Sequence, residues 1–333
     1  MGINLFSSFK NWRNRLLRKL AVHREHNKQE KALINEINRI LSETKTKIPL
    51  VPNYLSKLKK PILLALETIT SMTAQIPGPI NLDPALWEKS PVPKAIFTSH
   101  DEFLRWFVNC SSVQNAFKQY NSDKLFGLLV AEYQEKTSFG VDRTGEIIQK
   151  DVQQKSVSFE DPMIVVLQPD QKTAQKELQH RILVMLFLNE LEEIADLKSL
   201  EKELEIQQDI LKIKLSGEKK YNPEKPDTNK SASEAKQIIN DINRKIEEIG
   251  RNPDTPESHL RHVTEVLTNI DRNVKMTPFT IRVNSLSILV KASSLEPFDE
   301  LSFAECTYTG SPKKAVIWVQ IDRSSNRSSM TGK

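Results

Sequence analysis

Residues 231–250 read SASEAKQIINDINRKIEEIG. The apolar residues of this stretch follow one another at steps of four, three, four and three: Ala235, Ile239, Ile242, Ile246 and Ile249. Such spacing keeps a continuous apolar seam on one face of a helix, as in a coiled coil. Gly250 and Pro253 predict that the helix ends there, because glycine is favoured just after a helix and proline cannot continue it.

The residues before this helix predict a partner for its seam. From 171 to 215 the chain has few helix breakers, and leucines recur at steps of three, four or seven. A polar loop with two prolines, 216–230, separates the two segments. The sequence therefore predicts an antiparallel coiled-coil hairpin over 171–250, with its seam on Leu197, Leu200, Leu204, Leu211, Ile239, Ile242, Ile246 and Ile249.

Short β-prone runs flank the hairpin on both sides. They lie at 125–134, 137–141, 146–152, 156–159 and 163–167 before it, and at 279–283, 286–290, 301–308 and 315–321 after it. Ser99 and Glu102 form a capping box that predicts a helix at 101–109, and further helices are expected at 113–120 and 256–274. We therefore expect an α+β fold: an antiparallel β-sheet core with packed helices, interrupted by the inserted hairpin and preceded by an N-terminal amphipathic helix.

These patterns divide the chain into six parts. They are a basic amphipathic N-terminal helix (1–47), a connector with a short helix and a Pro-rich segment (48–94), the first half of the α+β core (95–170), the hairpin insertion (171–250), the second half of the core (251–322) and a disordered basic tail (323–333). Within the connector, we expect the proline-interrupted stretch 76–94 to be extended and anchored by Trp87.

The first 24 residues carry six basic and no acidic side chains. On a helical wheel, large apolar residues gather on one side and most of the basic residues on the other. This composition is typical of a helix that lies in a membrane interface, and the predicted contact residues are Leu5, Phe6, Phe9, Lys10, Trp12, Arg13, Arg15, Leu16, Arg18 and Lys19. The pattern is also open to three other interpretations: packing on the rest of the protein, organellar targeting, and contact with nucleic acid.

Positive charge is concentrated at the two ends of the chain. The whole protein has a net charge of +5, whereas residues 25–322 contain 39 basic and 43 acidic side chains. A nucleic-acid-binding domain would carry its positive field over the folded surface. We therefore do not expect nucleic acid as a partner of the folded body, and only the two basic ends leave that alternative open.

No residue pattern indicates a catalytic or metal site. Two cysteines are too few for a disulfide framework or a four-thiolate zinc site. Gly140 and Gly145 are spaced as in a phosphate-binding loop, but Glu-Ile follows them where Lys and Ser or Thr are required. His259 and His262 lack a third ligand in the sequence around them, so we interpret them as solvated helical histidines. We predict no catalytic residue, no metal and no cofactor.

Two elements whose usual role is contact, the hairpin and the basic N-terminal helix, favour a non-enzymatic scaffold or adaptor. It would dock protein partners through the hairpin, which is also able to pair with a second copy, and attach peripherally to an anionic membrane. The longest uninterrupted apolar run, 182–188, is far shorter than the about 20 residues of a membrane-spanning helix, and we expect a cytoplasmic protein that reaches the inner face of a membrane. The alternatives are a nucleic-acid-associated protein that uses its basic termini, and an enzyme with an unrecognised site.

Overall fold

A computed structural model describes residues 28–144, 147–221, 226–250, 252–290 and 296–324. These residues form two compact units. One unit comprises 28–65 and 183–268, and the other comprises 66–182 and 269–324. Two of the three boundaries, 65/66 and 182/183, fall inside helices. We describe each unit by itself.

Helices and strands come mostly in separate groups along the chain. The helices are α1 (28–44), α2 (Tyr54–Thr73), α3 (Pro91–Ile96), α4 (His100–Asn109), α5 (Ser111–Gln119), α6 (Gln171–Tyr221), α7 (Pro226–Ile249), α8 (Pro256–Thr268) and α9 (Ile270–Asn273), with 3-10 turns at Ile48–Leu50 and Pro84–Lys89. The strands are β1 (Ile80–Asn81), β2 (Lys124–Thr144), β3 (Ile147–Gln168), β4 (Val274–Val283), β5 (Asp299–Tyr308) and β6 (Lys314–Asp322).

The helical unit contains α1, the first part of α2, most of α6, and the helices α7 and α8. Its buried side chains recur at helical spacing, which gives each helix an apolar face. On α1 they include Ile37 and Ile40, and on α2 they include Leu58 and Ile62, all without exposed surface. The core of this unit is therefore built by helix packing.

The second unit is built on one curled sheet with strand order β3-β2-β6-β5-β4. Neighbouring strands along this order are antiparallel, and β1 adds a short parallel pairing to β6. A bridge between Ser156 on β3 and Ile288, which follows β4, joins the two ends of the order. The expectation of a mixed helix and strand fold with an antiparallel sheet is confirmed.

One face of the sheet packs against α3, α4 and α5. Alternate residues of β6, including Ile317 and Val319, are buried in one apolar cluster with Phe103 and Phe107 of α4. The predicted cap is present, because the Ser99 hydroxyl oxygen accepts a hydrogen bond from the Glu102 amide at 3.2 Å. The aromatic side chains of this region therefore form the core that joins helices to sheet.

Two sequence predictions for this unit were wrong, and a third holds only in part. The five short β-prone runs before the hairpin are two long strands, β2 and β3. Residues 286–290 form no strand and contribute only isolated bridges. The segment 76–94 is extended only up to Asp83, with Ile80–Asn81 paired to β6. Beyond it, Pro84 and Pro91 begin short helices, a position at which proline needs no hydrogen-bonded amide.

Arg323, the first residue of the predicted basic tail, is held in the fold. Its guanidinium donates hydrogen bonds to the carbonyl oxygens of Ser122 (2.9 Å), Tyr120 (2.8 Å) and Phe117 (3.2 Å). It also lies over the Phe117 ring at 5.0 Å. This arginine completes the C-terminal end of α5, where unpaired carbonyl groups favour a cation, and residues 325–333 lie outside the described residues.

Candidate functional site

The two helices of the predicted hairpin contact each other through a few specific groups. Leu204 of α6 and Ile242 of α7 are buried. The side-chain amide nitrogen of Gln208 donates a hydrogen bond to the side-chain oxygen of Asn243. The backbone amide of Asn252, just after α7, donates a hydrogen bond to the Glu201 carboxylate at 2.9 Å. The earlier α6 residue, Glu201, contacts the later partner, Asn252, and the later residue, Gln208, contacts the earlier partner, Asn243. The two segments therefore run in opposite directions at these contacts.

The predicted seam residues differ in burial. Leu204 and Ile242 are buried, Leu200 is 44% exposed, and the others are half-buried: Leu197, Leu211, Ile239, Ile246 and Ile249. The ten predicted membrane-contact residues, from Leu5 to Lys19, lie outside the described residues.

A second apolar face on α6 was not predicted from the sequence. Ile206, Ile210 and Ile213 are 61%, 47% and 69% exposed. At about 100° per residue they fall within an arc of about 60° that lies opposite the buried Leu204. We call these three residues the outer stripe. The spacing of these isoleucines by four and three residues could have indicated a second apolar face. The sequence analysis assigned the apolar face of this helix to the leucine seam alone.

A charged cluster ties α8 to the rest of the helical unit. The Asp254 carboxylate accepts from Lys198, from Lys47 at 2.7 Å and from Nε2 of His259 at 2.9 Å. The hydrogen bonds from the two lysines, that of Lys198 first, hold the pKa of Asp254 well below its usual range. The amide of Lys47 donates to Nδ1 of His259 at 3.4 Å.

This cluster is structural in character. His259 is buried, which corrects the expectation of a solvated histidine. Because Nδ1 accepts a hydrogen bond, Nε2 carries the proton that it donates to Asp254. Both ring nitrogens are thereby engaged within the protein, and neither is left to act on a substrate.

A second acid–histidine pair lies in the same unit. Oε2 of Glu190 is 3.7 Å from Nδ1 of His262. Burial raises the pKa of Glu190 to about 7, and the nearby charges of Glu193 and Glu265 act in the same direction. Burial, followed by the charge of Arg261, lowers the pKa of His262. Both shifts favour the neutral forms, because a low dielectric disfavours either charge.

Two pockets in the described part of the chain are lined by other residues. A pocket of about 280 Å³ at the start of α8 is lined by Ile249, Gly250, Asn252, Pro253, Thr255, Glu257, Ser258 and Arg261. A pocket of about 650 Å³ in the sheet unit is lined by Asp123, Lys124, Asp322, Arg323 and Ser324. In the sheet-unit pocket, the Arg323 guanidinium donates hydrogen bonds to three backbone carbonyl oxygens. Asp322 accepts hydrogen bonds from Asn81 and Gln320.

Comparison with protein-family models, with curated proteins and with solved structures gives no match for this chain. Within the described residues, no group of three or more His, Cys, Asp or Glu side chains is placed to hold a metal ion. None of the helices in the described ranges is long and apolar enough to cross a membrane. The outer stripe is therefore the feature from which we argue a function.

Proposed function

We propose that this protein is a non-enzymatic scaffold or adaptor. In this proposal α6 and α7 form an antiparallel coiled-coil hairpin, joined along the seam that contains Leu204 and Ile242. The outer stripe is then the surface that docks a helical segment of another protein chain. The observation that carries the proposal is the exposure of Ile206, Ile210 and Ile213 on the face of α6 opposite that seam.

The spacing of the outer stripe favours a helical partner. Steps of four and three residues keep side chains on one line along a helix, and such a line packs against a similar line on a second helix. Large apolar side chains scattered singly over a surface need no explanation, whereas neighbouring ones commonly mark an interaction site. Ile206, Ile210 and Ile213 lie within two turns of α6 and are therefore neighbouring side chains.

Photo-crosslinking in the cells from which the protein comes tests this contact. We expect p-benzoylphenylalanine in place of Ile210 in the full chain to give a covalent protein adduct, because the crosslinker would lie inside the docked surface. Gln237 is the matched control, since it is exposed on α7 and lies on the side away from the buried Ile242. At least ten-fold more adduct from position 210 than from 237 is expected, and equal or absent adducts would contradict the proposal.

The N-terminal segment supports peripheral attachment to an anionic membrane as a second part of the proposal. Its support is the sequence itself: six basic and no acidic side chains among 24 residues, with aromatic and leucine side chains between them. Each basic side chain near an anionic surface contributes about 1 kcal/mol, and the apolar side chains add burial in the interface.

Vesicle flotation tests the membrane part. The full chain should float with vesicles that contain about one-third phosphatidylserine, and a chain with Phe9→Glu and Trp12→Glu should float at least five-fold less, because two buried apolar contacts are replaced by negative charge. Neutral phosphatidylcholine vesicles are the control. Equal flotation of both chains, or flotation of neither, removes this part and leaves the hairpin proposal standing.

A further inference from the structure

We infer that the edge of β2 beyond Tyr133 pairs, antiparallel, with the same edge of a second copy of this chain. Beyond Glu132, β2 and β3 continue as a two-stranded ribbon, and we call residues 134–144 of β2 the ribbon edge. The inference is carried by the backbone groups of this edge, by the exposure of Phe139 and by the order of charges along the strand. It concerns a different surface from the outer stripe and does not rest on the proposed function.

The ribbon edge presents backbone groups with which no other strand of the described ranges pairs. The ladder between β2 and β6 ends at Glu132, and one further hydrogen bond follows, from the Tyr133 amide to the Lys313 carbonyl oxygen at 2.9 Å. Backbone groups alternate between the two edges of a strand, so those of every second residue from 135 to 143 are directed to the same edge as those of Tyr133. Such a row of amides and carbonyls is a template for another strand.

The irregularity in the ribbon leaves this alternation intact on β2. Between Gly140 and Asp142 strand β2 advances by two residues, whereas β3 advances by three, from Val152 to Gln149. The extra residue therefore lies on β3, and β2 remains regular along its edge. Residues 134–139 are all exposed, which leaves the edge accessible to a second chain.

The sequence of the ribbon edge is complementary to itself in one antiparallel register. Residues 135–143 read EKTSFGVDR. When Phe139, which is 74% exposed, faces Phe139 of the second copy, Glu135 is opposite Arg143 and Lys136 is opposite Asp142. Each pair occurs twice, because the arrangement is two-fold symmetric. Opposite charges and aromatic rings directly across two strands stabilise their pairing.

The charges select this register among those that the backbone allows. Interchain hydrogen bonds need groups directed to the edge on both strands, so one strand shifts along the other in steps of two residues. A shift by two residues in either direction places an uncharged residue opposite each of the four charged ones. Charged side chains commonly keep an edge strand from pairing, whereas in the proposed register each charge meets its opposite. The pattern therefore favours a second copy over an unrelated strand.

Contacts within the ribbon leave these charges available. Nζ of Lys136 is 3.7 Å from Oε1 of Glu160, and both side chains are exposed, so this ion pair adds little to stability. The Glu135 carboxylate accepts hydrogen bonds from the Tyr133 hydroxyl at 2.7 Å and from Lys155 at 3.4 Å. A carboxylate has about four acceptor positions, so Glu135 retains capacity for an arginine of the second copy.

The size of the ribbon edge sets the expected strength of the dimer. Pairing over residues 135–143 spans about 27 Å and forms about ten interchain hydrogen bonds. These nine residues per copy are fewer than the about 20 to 30 of a standard stable interface. We therefore expect a reversible dimer that weakens as salt screens its four ion pairs.

Sedimentation velocity on the purified full chain, from 1 to 200 µM, tests the inference. The wild-type chain should show a monomer–dimer equilibrium, and Thr137→Pro should raise the Kd at least thirty-fold, because proline removes an amide directed to the ribbon edge and places its ring there. Gln153→Pro is the matched control. Gln153 is opposite Phe139 on β3, and its amide is directed to the other edge of the ribbon, where the Lys155 carbonyl oxygen accepts from Leu289. This variant should leave the Kd unchanged.

Matching circular dichroism spectra and melting temperatures establish that both proline variants are folded. A wild-type chain that stays monomeric at 200 µM overturns the inference. A dimer that Thr137→Pro leaves intact, or that both proline variants weaken equally, also overturns it. The proposed function stands in each case, because the crosslinking at position 210 reports on a different surface.

Charge exchange tests the register without proline. Lys136→Glu and Asp142→Lys should each raise the Kd about ten-fold, because each places two pairs of like charges across the dimer. The double variant should return the Kd to near the wild-type value, since attraction is restored with its sign reversed. Two single variants without effect, or a double variant weaker than either, would overturn the proposed register.

Photo-crosslinking in cells identifies the occupant of the ribbon edge. p-Benzoylphenylalanine in place of Thr137 in the full chain should give an adduct with the mass of two copies. An adduct with a different protein, or a crosslink within a single chain, would show that another segment covers the edge and would overturn the inference.

Discussion

Replacing Gly78 by alanine should lower the free energy of unfolding of the sheet unit by about 4 kcal/mol. Gly78 has a φ of +106°, a backbone conformation that side chains with a Cβ rarely adopt. A Cβ atom at this position would lie 2.4 Å from the carbonyl oxygen of Trp318 and 3.1 Å from its Cβ. The conformation alone costs about 1 to 2 kcal/mol, and forcing a methyl group into close-packed surroundings adds about 1 to 3 kcal/mol.

The surroundings of Gly78 leave little room for adjustment. The amide of Trp318 donates to the carbonyl oxygen of Pro77 at 2.9 Å, which holds this segment against β6. Strand β6 in turn pairs with β1, β2 and β5. A shift of the Trp318 carbonyl would therefore disturb the strand with the most neighbours in the sheet.

Gly310 provides the matched control for this substitution. It also has a positive φ, +80°, but no atom lies within 4 Å of the position that its Cβ would take. Gly310→Ala should therefore cost only about 1 kcal/mol, the cost of the conformation alone. Urea unfolding followed by tryptophan fluorescence suits the comparison, because Trp87, Trp106 and Trp318 all lie in the sheet unit. Equal losses for the two variants would show that contact with β6 is unimportant.

The long strands were difficult to predict because the alternation of apolar and polar residues is interrupted. Register shifts occur between Phe126 and Leu128, between Val130 and Glu132, and between Gly140 and Asp142. Each irregularity moves the following side chains to the other face. Beyond Glu132, β2 pairs only with β3 in its ladder, and Phe139 there is 74% exposed. A strand with little burial on either face shows no alternation from which it can be predicted.

Local signals succeeded where the partners are near in sequence. Ser99 and Glu102 are three residues apart, and their cap forms as the sequence predicts. The environment of His259 could not be predicted in this way, because Lys47 lies 212 residues from it along the chain. Prolines were misleading for a different reason: Pro84 and Pro91 were interpreted as breakers of structure, but both stand at helix starts.

The spacing of the outer stripe could be predicted from the sequence, but its exposure could not. The spacing of the predicted seam places Leu204 on one face of α6, and Leu204 is buried. The same helical spacing analysis places Ile206, Ile210 and Ile213 on a second face of α6. What sequence alone does not give is their exposure, because an apolar face on a long helix is buried whenever another helix covers it.

Replacing Glu190 by glutamine should stabilise the helical unit at pH 8 by about 3 kcal/mol and change its stability little at pH 5. The Glu190 residue is only 5% exposed. Burial, together with the charges of Glu193 and Glu265, raises its pKa to about 7 from an ordinary value of 4.5. The folded state therefore binds this proton more tightly than the unfolded state between those two values.

The sign of the effect follows from proton linkage. Stability falls with rising pH wherever the folded state holds more protons than the unfolded state. For Glu190 the full stability is present below about pH 4.5, is lost progressively up to about pH 7, and stays lost above it. A difference of about 2.5 pKa units corresponds to about 3 kcal/mol, and glutamine removes this loss because it has no proton to release.

Measurement of unfolding by circular dichroism at 222 nm reports mainly on the helical unit in which Glu190 lies, because that unit contains most of the described helix. Glu192→Gln is the matched control, because Glu192 is exposed on the same turn of α6 and should change stability by less than about 0.5 kcal/mol. His262 loses its proton well below pH 8, since its pKa is lowered, so at pH 8 it supplies no cation to compensate an ionised Glu190. If Glu190→Gln stabilises equally at pH 5 and pH 8, the gain comes from packing or hydrogen bonding, and the raised pKa of this carboxyl is refuted.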